Sequence, residues 1–339
     1  MRIVIDAMGG DRAPRTVVQG AILSLQESDG GLDLILTGDE SQINGELKNN
    51  DSHNGKITLF PTTEVVDMTD KPAQVVKSKP DSSIVAGMRL LKEGGADAFV
   101  SAGSTGAILS TALLLLGRIK AVHRPALGVY FPTPQRGLIL CDGGANVEVR
   151  PVHLYQFAIM ASEYMKHVHG VNQPSVGLLN IGVEQTKGQD VYVEAFKLLD
   201  ENLPQFKGNI ESRNMLNGDV DVVVCDGFVG NNIVKFAEGW IGQIHRDVSE
   251  ELNRRVESEK ERLLFIDIFS SVMAKYEYEQ YGGVPLLGVN GVCIVCHGAS
   301  PARAIKNAIL TAVKSVQEGL VDSIRKDISA TVSLVNGGG

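Results

Sequence analysis

Lys187 closes a stretch, Val176 to Gly188, that opens apolar and ends polar: Val-Gly-Leu-Leu-Asn-Ile-Gly-Val-Glu-Gln-Thr-Lys-Gly. The apolar run suits a strand covered on both faces, and a helical pattern resumes near Val191. Asn180, Gly182, Glu184 and Lys187 therefore fall on a strand-to-helix loop. In open α/β sheets such loops hold anions, because the following helix offers unpaired N–H groups and the positive end of its dipole. Lys187 adds a full positive charge. A lone loop lysine is more often a solvated surface group, so its meaning depends on the other loops.

Four more glycine-bearing loops follow expected strands: Met8-Gly9-Gly10-Asp11, Gly103-Ser104-Thr105-Gly106, Asp142-Gly143-Gly144-Ala145-Asn146 and Asp226-Gly227-Phe228-Val229-Gly230-Asn231. Glycines let main chain approach a ligand closely, and a shared carboxyl-edge position for all five loops makes an anion pocket the natural expectation. The Asn231 amide is a neutral donor suited to charge developing on an oxygen; its competing role is a helix N-cap. Ala102 to Gly106 comes within one residue of the Gly-x-Ser-x-Gly nucleophile elbow, which raises a serine acyl-enzyme on Ser104 as a rival chemistry. His123, His153, His167, His169, His245 and His297 offer no recognisable triad order, and a phosphate-facing hydroxyl at a helix start is the simpler role for Ser104. Neither a Gly-x-Gly-x-x-Gly fingerprint nor a Walker A sequence occurs. A phosphate pocket without a nucleotide motif suggests phosphate itself, or a small phosphorylated compound, as substrate.

The elements that must carry these loops follow from the rest of the chain. With 339 residues, 43% of them hydrophobic, the chain can bury a large core, as one α/β unit or two domains. A net charge of -8 and the lack of a basic run argue against nucleic acid. The start reaches Asp6 after three apolar residues, and the apolar run Ala112 to Leu116 is too short to cross a bilayer, so a soluble, cytosolic protein is expected. Cys141, Cys225, Cys293 and Cys296 read as buried small hydrophobes: residues three apart on a strand point to opposite faces, and the Cys293/Cys296 pair has no partner pair with metal-ligand spacing. Strands are expected at Arg2 to Ala7, Leu32 to Thr37, Ile57 to Pro61, Ala98 to Ser101, Gly128 to Phe131, Leu138 to Asp142, Asp219 to Val224 and Val292 to Val295. Met68 to Ser83 reads as a solvated loop, Ala107 to Arg118 as an apolar helix, and Pro151 to His169 as an amphipathic helix with Tyr155, Phe157, Met160, Tyr164 and Met165 in the core. From Ile233 to about Tyr281 the chain turns helical and leaves the βαβ rhythm. Within it Leu263 to Phe269 is apolar on more than one helical face and must be covered by a second subunit, a membrane surface or its own core. A helix spans Pro301 to about Val316, and Asn336 to Gly339 reads as a frayed tail. Arg118, Lys120 and Arg124, or Arg254 and Arg255, could face an acidic partner or simply be solvated.

Taken in order, Met8-Gly9-Gly10-Asp11 with Ala13-Pro14, Ser101-Ala102-Gly103 through Thr105-Gly106-Ala107, Arg124-Pro125-Ala126-Leu127, Asp142 through Asn146, Asn180-Ile181-Gly182 through Lys187-Gly188, Asp226-Gly227-Phe228 through Gly230-Asn231 and Pro285 through Gly291 resemble the PlsX family of acyl-ACP:phosphate transacylases. The resemblance covers nearly the whole chain. It implies a homodimeric three-layer α/β/α fold of the isocitrate/isopropylmalate-dehydrogenase type, here a single catalytic unit over residues 1–335 with a helical arm at about 240–281. It implies transfer of a fatty acyl group from acyl carrier protein to inorganic phosphate for phospholipid synthesis, without metal or organic cofactor, and peripheral membrane contact through Leu263, Leu264, Phe265, Ile268 and Phe269. Carried over by position, Lys187 and Asn231 are the catalytic residues, and Gly9, Gly10, Asp11, Gly103, Ser104, Thr105, Gly106, Asn146, Asn180 and Gly230 bind substrate. The family has asparagine where this chain has Ser104, which keeps a hydrogen-bonding group but shortens it.

Overall fold

The computed structural model describes residues 1–28, 30–48, 55–67, 69–276 and 281–331. Met68, part of the expected helical arm before Tyr281, and the tail at Asn336 to Gly339 lie outside the described residues. The strands are β1 (Arg2–Asp6), β2 (Asp33–Gly38), β3 (Ile57–Pro61), β4 (Ala98–Ser101), β5 (Ala126–Phe131), β6 (Leu138–Cys141), β7 (Val176–Asn180), β8 (Phe206–Glu211), β9 (Val222–Val224), β10 (Val284–Leu287) and β11 (Val292–Val295). They form one mixed sheet in the order β3-β2-β1-β4-β11-β10-β5-β6-β9-β7-β8. Helices cover both faces: α1 (Arg15–Glu27), α2 (Glu40–Leu47), α3 (Val75–Ser78), α4 (Ser83–Lys92), α5 (Thr105–Leu115), α6 (Pro151–His169), α7 (Asp190–Asn202), α8 (Gly227–Arg255), α9 (Glu259–Ala274), α10 (Ala302–Gln317) and α11 (Leu320–Ala330). The fold is a three-layer α/β/α sandwich.

Alternation along the strands assigns the layers. Val100 of β4 packs in the core with Val17, Ile305 and Ile309 of α1 and α10, whereas Phe99 packs with Met88 and Ile108 of α4 and α5. On the other half, Ile139, Val222 and Val224 face α6, where Leu154, Phe157, Met160 and Tyr164 are buried. Leu138, Leu140 and Val223 form the opposite, smaller core with Leu179 and Ile210. Cys293 and Cys296 fall into different clusters on opposite faces of β11, and burial pushes both thiols up to about 12.

The sheet reverses direction across its centre. β4 and β11 are parallel, but β11–β10, β10–β5 and β5–β6 are each antiparallel, so β6, β9, β7 and β8 run opposite to β1, β2, β3, β4 and β11. The expected single carboxyl edge carrying all five glycine loops is therefore corrected. The loops after β1 and β4 leave one end of the strands, and those after β6, β7 and β9 leave the other. Two smaller differences have local causes. The stretch expected as loop before Ser83 contains a 3-10 turn at Pro72–Gln74 and the short α3, because Val75 is buried beneath α5. The long helix α8 begins at Gly227, because Asp226 caps it by accepting from Val229 N at 2.8 Å.

α8 is 29 residues long, roughly 44 Å at 1.5 Å per residue. Only Gly227 and Gly230 of it are buried, so the helix is anchored at its first turns and stands away from the sheet thereafter. It and α9 leave Phe236, Trp240, Leu263, Leu264, Phe265 and Ile268 exposed. No helix of the described residues is long and apolar enough to cross a membrane.

Candidate active site

Three loops leave neighbouring strands β6, β9 and β7 at the same end of the sheet, where adjacent strands lie about 5 Å apart. The first is built on Asp142, which is fully buried. Its Oδ1 accepts from the main-chain N–H groups of Leu127, Gly144 and Ala145 at 3.0, 3.2 and 3.0 Å. Its Oδ2 accepts from Asn146 N and Nδ2 at 2.7 and 2.9 Å. Burial pushes this carboxyl up while the N–H donors pull it back down. The loop is thus wrapped around one side chain, with Asn146 tied also to Pro125 O at 2.7 Å.

The amino-terminus of α8 is pressed onto that loop through two glycines. A Cβ on Gly230 would lie 2.0 Å from Asp142 O, and one on Gly227 would lie 2.7 Å from Asp142 Oδ2. No larger residue fits without separating the two loops. This contact sets Asn231 in the second turn of α8, its side chain 3.3–3.5 Å from where a Cβ on Gly144 would stand. Gly144 itself has φ +139, a conformation glycine adopts without strain. Because Asp226 is the cap, the N-cap reading of Asn231 is excluded, and the Asn231 side chain makes no hydrogen bond among the described residues. Asp226 is in turn held by Tyr192 of α7, whose hydroxyl donates to its Oδ2 at 2.5 Å.

The third loop leaves β7. Asn180 clips it closed, accepting from Ile181 N at 2.8 Å and donating to Lys187 O at 2.9 Å, while Asn209 of β8 donates to Glu184 O at 2.8 Å. Lys187 is exposed, its stem passing 3.1 Å from the space above Gly182. It has no ion pair among the described residues. A free ammonium group thus stands on the loop after β7 and an unbonded amide on the first turns of the helix that follows the adjacent strand β9. Chemically, the first can hold an oxyanion and the second can donate to one.

The other expected site residues form a separate group at the opposite end of the strands. Ser101 Oγ donates to buried Asp6 Oδ2 at 2.6 Å, Gly103 N donates to Ser101 Oγ at 3.0 Å, and a Cβ on Gly9 would lie 2.5 Å from Asp6 Oδ2. Gly10 has φ +108, and Asp11 N donates to Gly298 O at 2.8 Å. Ser104 caps α5, accepting from Ala107 N at 3.5 Å, ahead of Thr105 and Gly106. The structure therefore brings Asn146, Asn180, Lys187, Gly230 and Asn231 to one strand edge, but not Gly9, Gly10, Asp11, Gly103, Ser104, Thr105 or Gly106. Ala145, from the first group, packs against the core cluster that holds Ala107 and Ile108 of α5, the helix that the second group starts. Sequence reading missed the organising roles of Asp142 and Asp6; the signal was an acidic residue at a strand end followed closely by two glycines.

Comparison with known proteins places this architecture. A family model described as "Fatty acid synthesis protein" matches residues 1–323. A phosphate acyltransferase of Halothermothrix orenii is 44% identical over 331 residues, covering 97% of this chain and 99% of its own. A phosphate acyltransferase of Moorella thermoacetica is 45% identical over 324 residues, covering 96% and 95%. Among solved structures, a phosphotransacetylase from Streptococcus pyogenes superposes with a TM-score of 0.65 at 17% identity, covering 94% of each chain. A branched-chain phosphotransacylase from Enterococcus faecalis does so at 0.57 and 13%, covering 93% and 99%. The structural likenesses establish a shared fold, and the sequence matches settle the lineage expected from the motifs: the chain belongs to the fatty acid synthesis protein family, the PlsX family, together with these phosphate acyltransferases.

Proposed function

We propose that this acyltransferase moves a fatty acyl group from the thioester of acyl carrier protein to inorganic phosphate, giving acyl phosphate for phospholipid synthesis. A phosphate oxygen attacks the thioester carbonyl, the C–O bond forms, and the C–S bond breaks as the tetrahedral oxyanion collapses. The thiolate leaves and takes up the proton that phosphate loses. Phosphate is already an oxygen nucleophile, so the protein has only to align it and steady the oxyanion. Lys187 aligns phosphate and Asn231 receives the oxyanion. The observation that carries this reading is an ammonium unpartnered and an amide unbonded among the described residues, on the loop after β7 and the start of the helix after the adjacent strand β9. Incubation with long-chain acyl carrier protein and phosphate, followed by hydroxylamine, is expected to give hydroxamate above the background of the thioester itself only when protein and phosphate are both present. No phosphate-dependent increase overturns the reading, and an acyl adduct on Ser104 transfers it to the serine acyl-enzyme.

The exposed apolar residues of α8 and α9 support a homodimer held peripherally at the membrane from the cytoplasm, since a surface this apolar is a contact surface. Leu264 and Phe265, 57% and 50% exposed, are assigned to the lipid side. Leu264→Asp/Phe265→Asp is expected to abolish flotation with anionic phospholipid vesicles while sedimentation still reports a dimer. Loss of the dimer with flotation retained assigns that face to the second subunit instead.

A further inference from the structure

Arg118, Lys120 and Arg124 on the loop between α5 and β5, and Arg150 at the start of α6, are all exposed. None of them forms an ion pair among the described residues. Arg254 and Arg255 meet Glu251 at 2.8 and 2.5 Å and Arg213 meets Glu211 at 2.8 Å, whereas Arg12, Arg15 and Arg89 are exposed without an ion pair among the described residues, so what marks these four cations is their grouping. In a chain of net charge -8, a local group of four unbalanced cations is a departure. Glu148, two residues before Arg150, is exposed and neutralises none of them by an ion pair among the described residues.

The patch is also held in place. Asn290 Nδ2 donates to Leu116 O and Arg118 O at 3.2 and 2.9 Å, and Ile119 N donates to Gly288 O at 3.0 Å. Gln156 of α6 accepts from His123 N at 2.8 Å and donates to Ala121 O at 2.9 Å. Arg118 donates to His123 O, and the Arg150 guanidinium lies 3.3 and 3.4 Å from His153 Nε2. The His123 and His153 rings meet edge-on at 5.9 Å. Burial first, then the guanidinium groups of Arg150 and Arg118, lowers the His123 pKa. Burial first, then Arg150, His123 and Arg124, brings His153 to about 4. Both imidazoles are therefore neutral, and three guanidinium fields overlap on one pair of rings. Like charges fixed together repel, and an anionic partner relieves that repulsion at little ordering cost.

An acidic protein surface fits this patch better than a small anion does. The four cations lie on open surface, and Leu113 and Leu114 near the end of α5 and Val147 before α6 are exposed on the neighbouring stretches of chain, 37%, 60% and 67%. Dispersed charge with apolar neighbours is interface composition, not the concave enclosure of a phosphate site. The patch is continuous with the candidate active site: Pro125, next to Arg124, holds Asn146, whose loop carries Gly144 against Asn231.

Building on the donor assigned under Proposed function, we propose that Arg118, Lys120, Arg124 and Arg150 form the landing surface for an acidic acyl carrier protein, whose thioester arm then passes Asn146 toward Asn231. The test is the double variant Lys120→Glu/Arg124→Glu, since neither side chain makes a hydrogen bond among the described residues. At low salt its KM for acyl carrier protein is expected to rise about tenfold or more with kcat preserved, the difference shrinking as salt is added. Its KM for the same acyl group on pantetheine, which brings no protein surface, is expected to stay unchanged, and that turnover also reports that the variant is folded. An unchanged KM for acyl carrier protein, or an equal rise with both donors, overturns the surface. Wild-type chain that uses acyl-pantetheine but not acyl carrier protein overturns the donor and the surface together.

Discussion

Lys187→Ala is expected to lose about 10²-fold or more in kcat for acyl transfer to phosphate, with thermal unfolding unchanged. The two halves of that expectation come from the same geometry. The ammonium is exposed and carries no ion pair among the described residues, so its removal takes nothing from the fold. The loop does not depend on it either, because Asn180 closes the loop through the main chain of Ile181 and Lys187. On the proposed mechanism, what is lost is the charge that aligns phosphate as it gains partial bonding to carbon. If the lysine only captured phosphate, KM for phosphate would rise while kcat held; a fall in kcat marks action on the transition state. Lys187→Arg keeps the charge but spreads it over a planar fork, so partial activity is expected. Near-normal kcat and KM for phosphate in Lys187→Ala would remove the residue from the mechanism.

Why Lys187 was legible in the sequence, while its surroundings were only partly so, follows from what each signal depends on. Val176 to Asn180 is an apolar run ended by a polar clip, and local pattern alone gives strand, loop and helix there. Pro151 to His169 was legible as a helix with Tyr155, Phe157, Met160, Tyr164 and Met165 in the core, although its unbroken burial from His153 to Ala161 makes it covered nearly all round rather than amphipathic. The reversal of the sheet was not. β5 pairs with β6 and β10 with β11 as sequence neighbours, but the reversal also rests on β10 pairing antiparallel to β5, which is distant in sequence, and such partners leave no mark on local pattern. β8 escaped because Gly208, at φ +92, and a register shift against β7 break its alternation on an edge strand. Asp142 was legible as a loop residue but not as the loop's organiser: four of its hydrogen bonds come from Gly144, Ala145 and Asn146 of its own loop, but the fifth, from Leu127 N, and the burial of the carboxylate require β5 beside it. The site was thus readable where it is made of one segment and unreadable where it is made of contact between segments.

Asn231 is of the second kind, and its substitution separates position from chemistry. Asn231→Ala is expected to lower kcat about 10²- to 10³-fold, the range for loss of one oxyanion donor. The fold should lose less than about 1 kcal/mol, because the amide is unbonded among the described residues and the helix start belongs to Asp226. Asn231→Asp keeps the shape against Gly144 but replaces a donor with a carboxylate, which repels the developing oxyanion. It is expected to be at least as slow as the alanine variant, and an amide that merely filled space would tolerate it. Combining Lys187→Ala with Asn231→Ala gives the sharper measurement. If the two groups are coupled in holding one tetrahedral intermediate, the double variant falls well short of the product of the two single losses. Strict multiplication of the two losses would mean that the ammonium and the amide act without coupling, and the cooperative arrangement expected here would not stand.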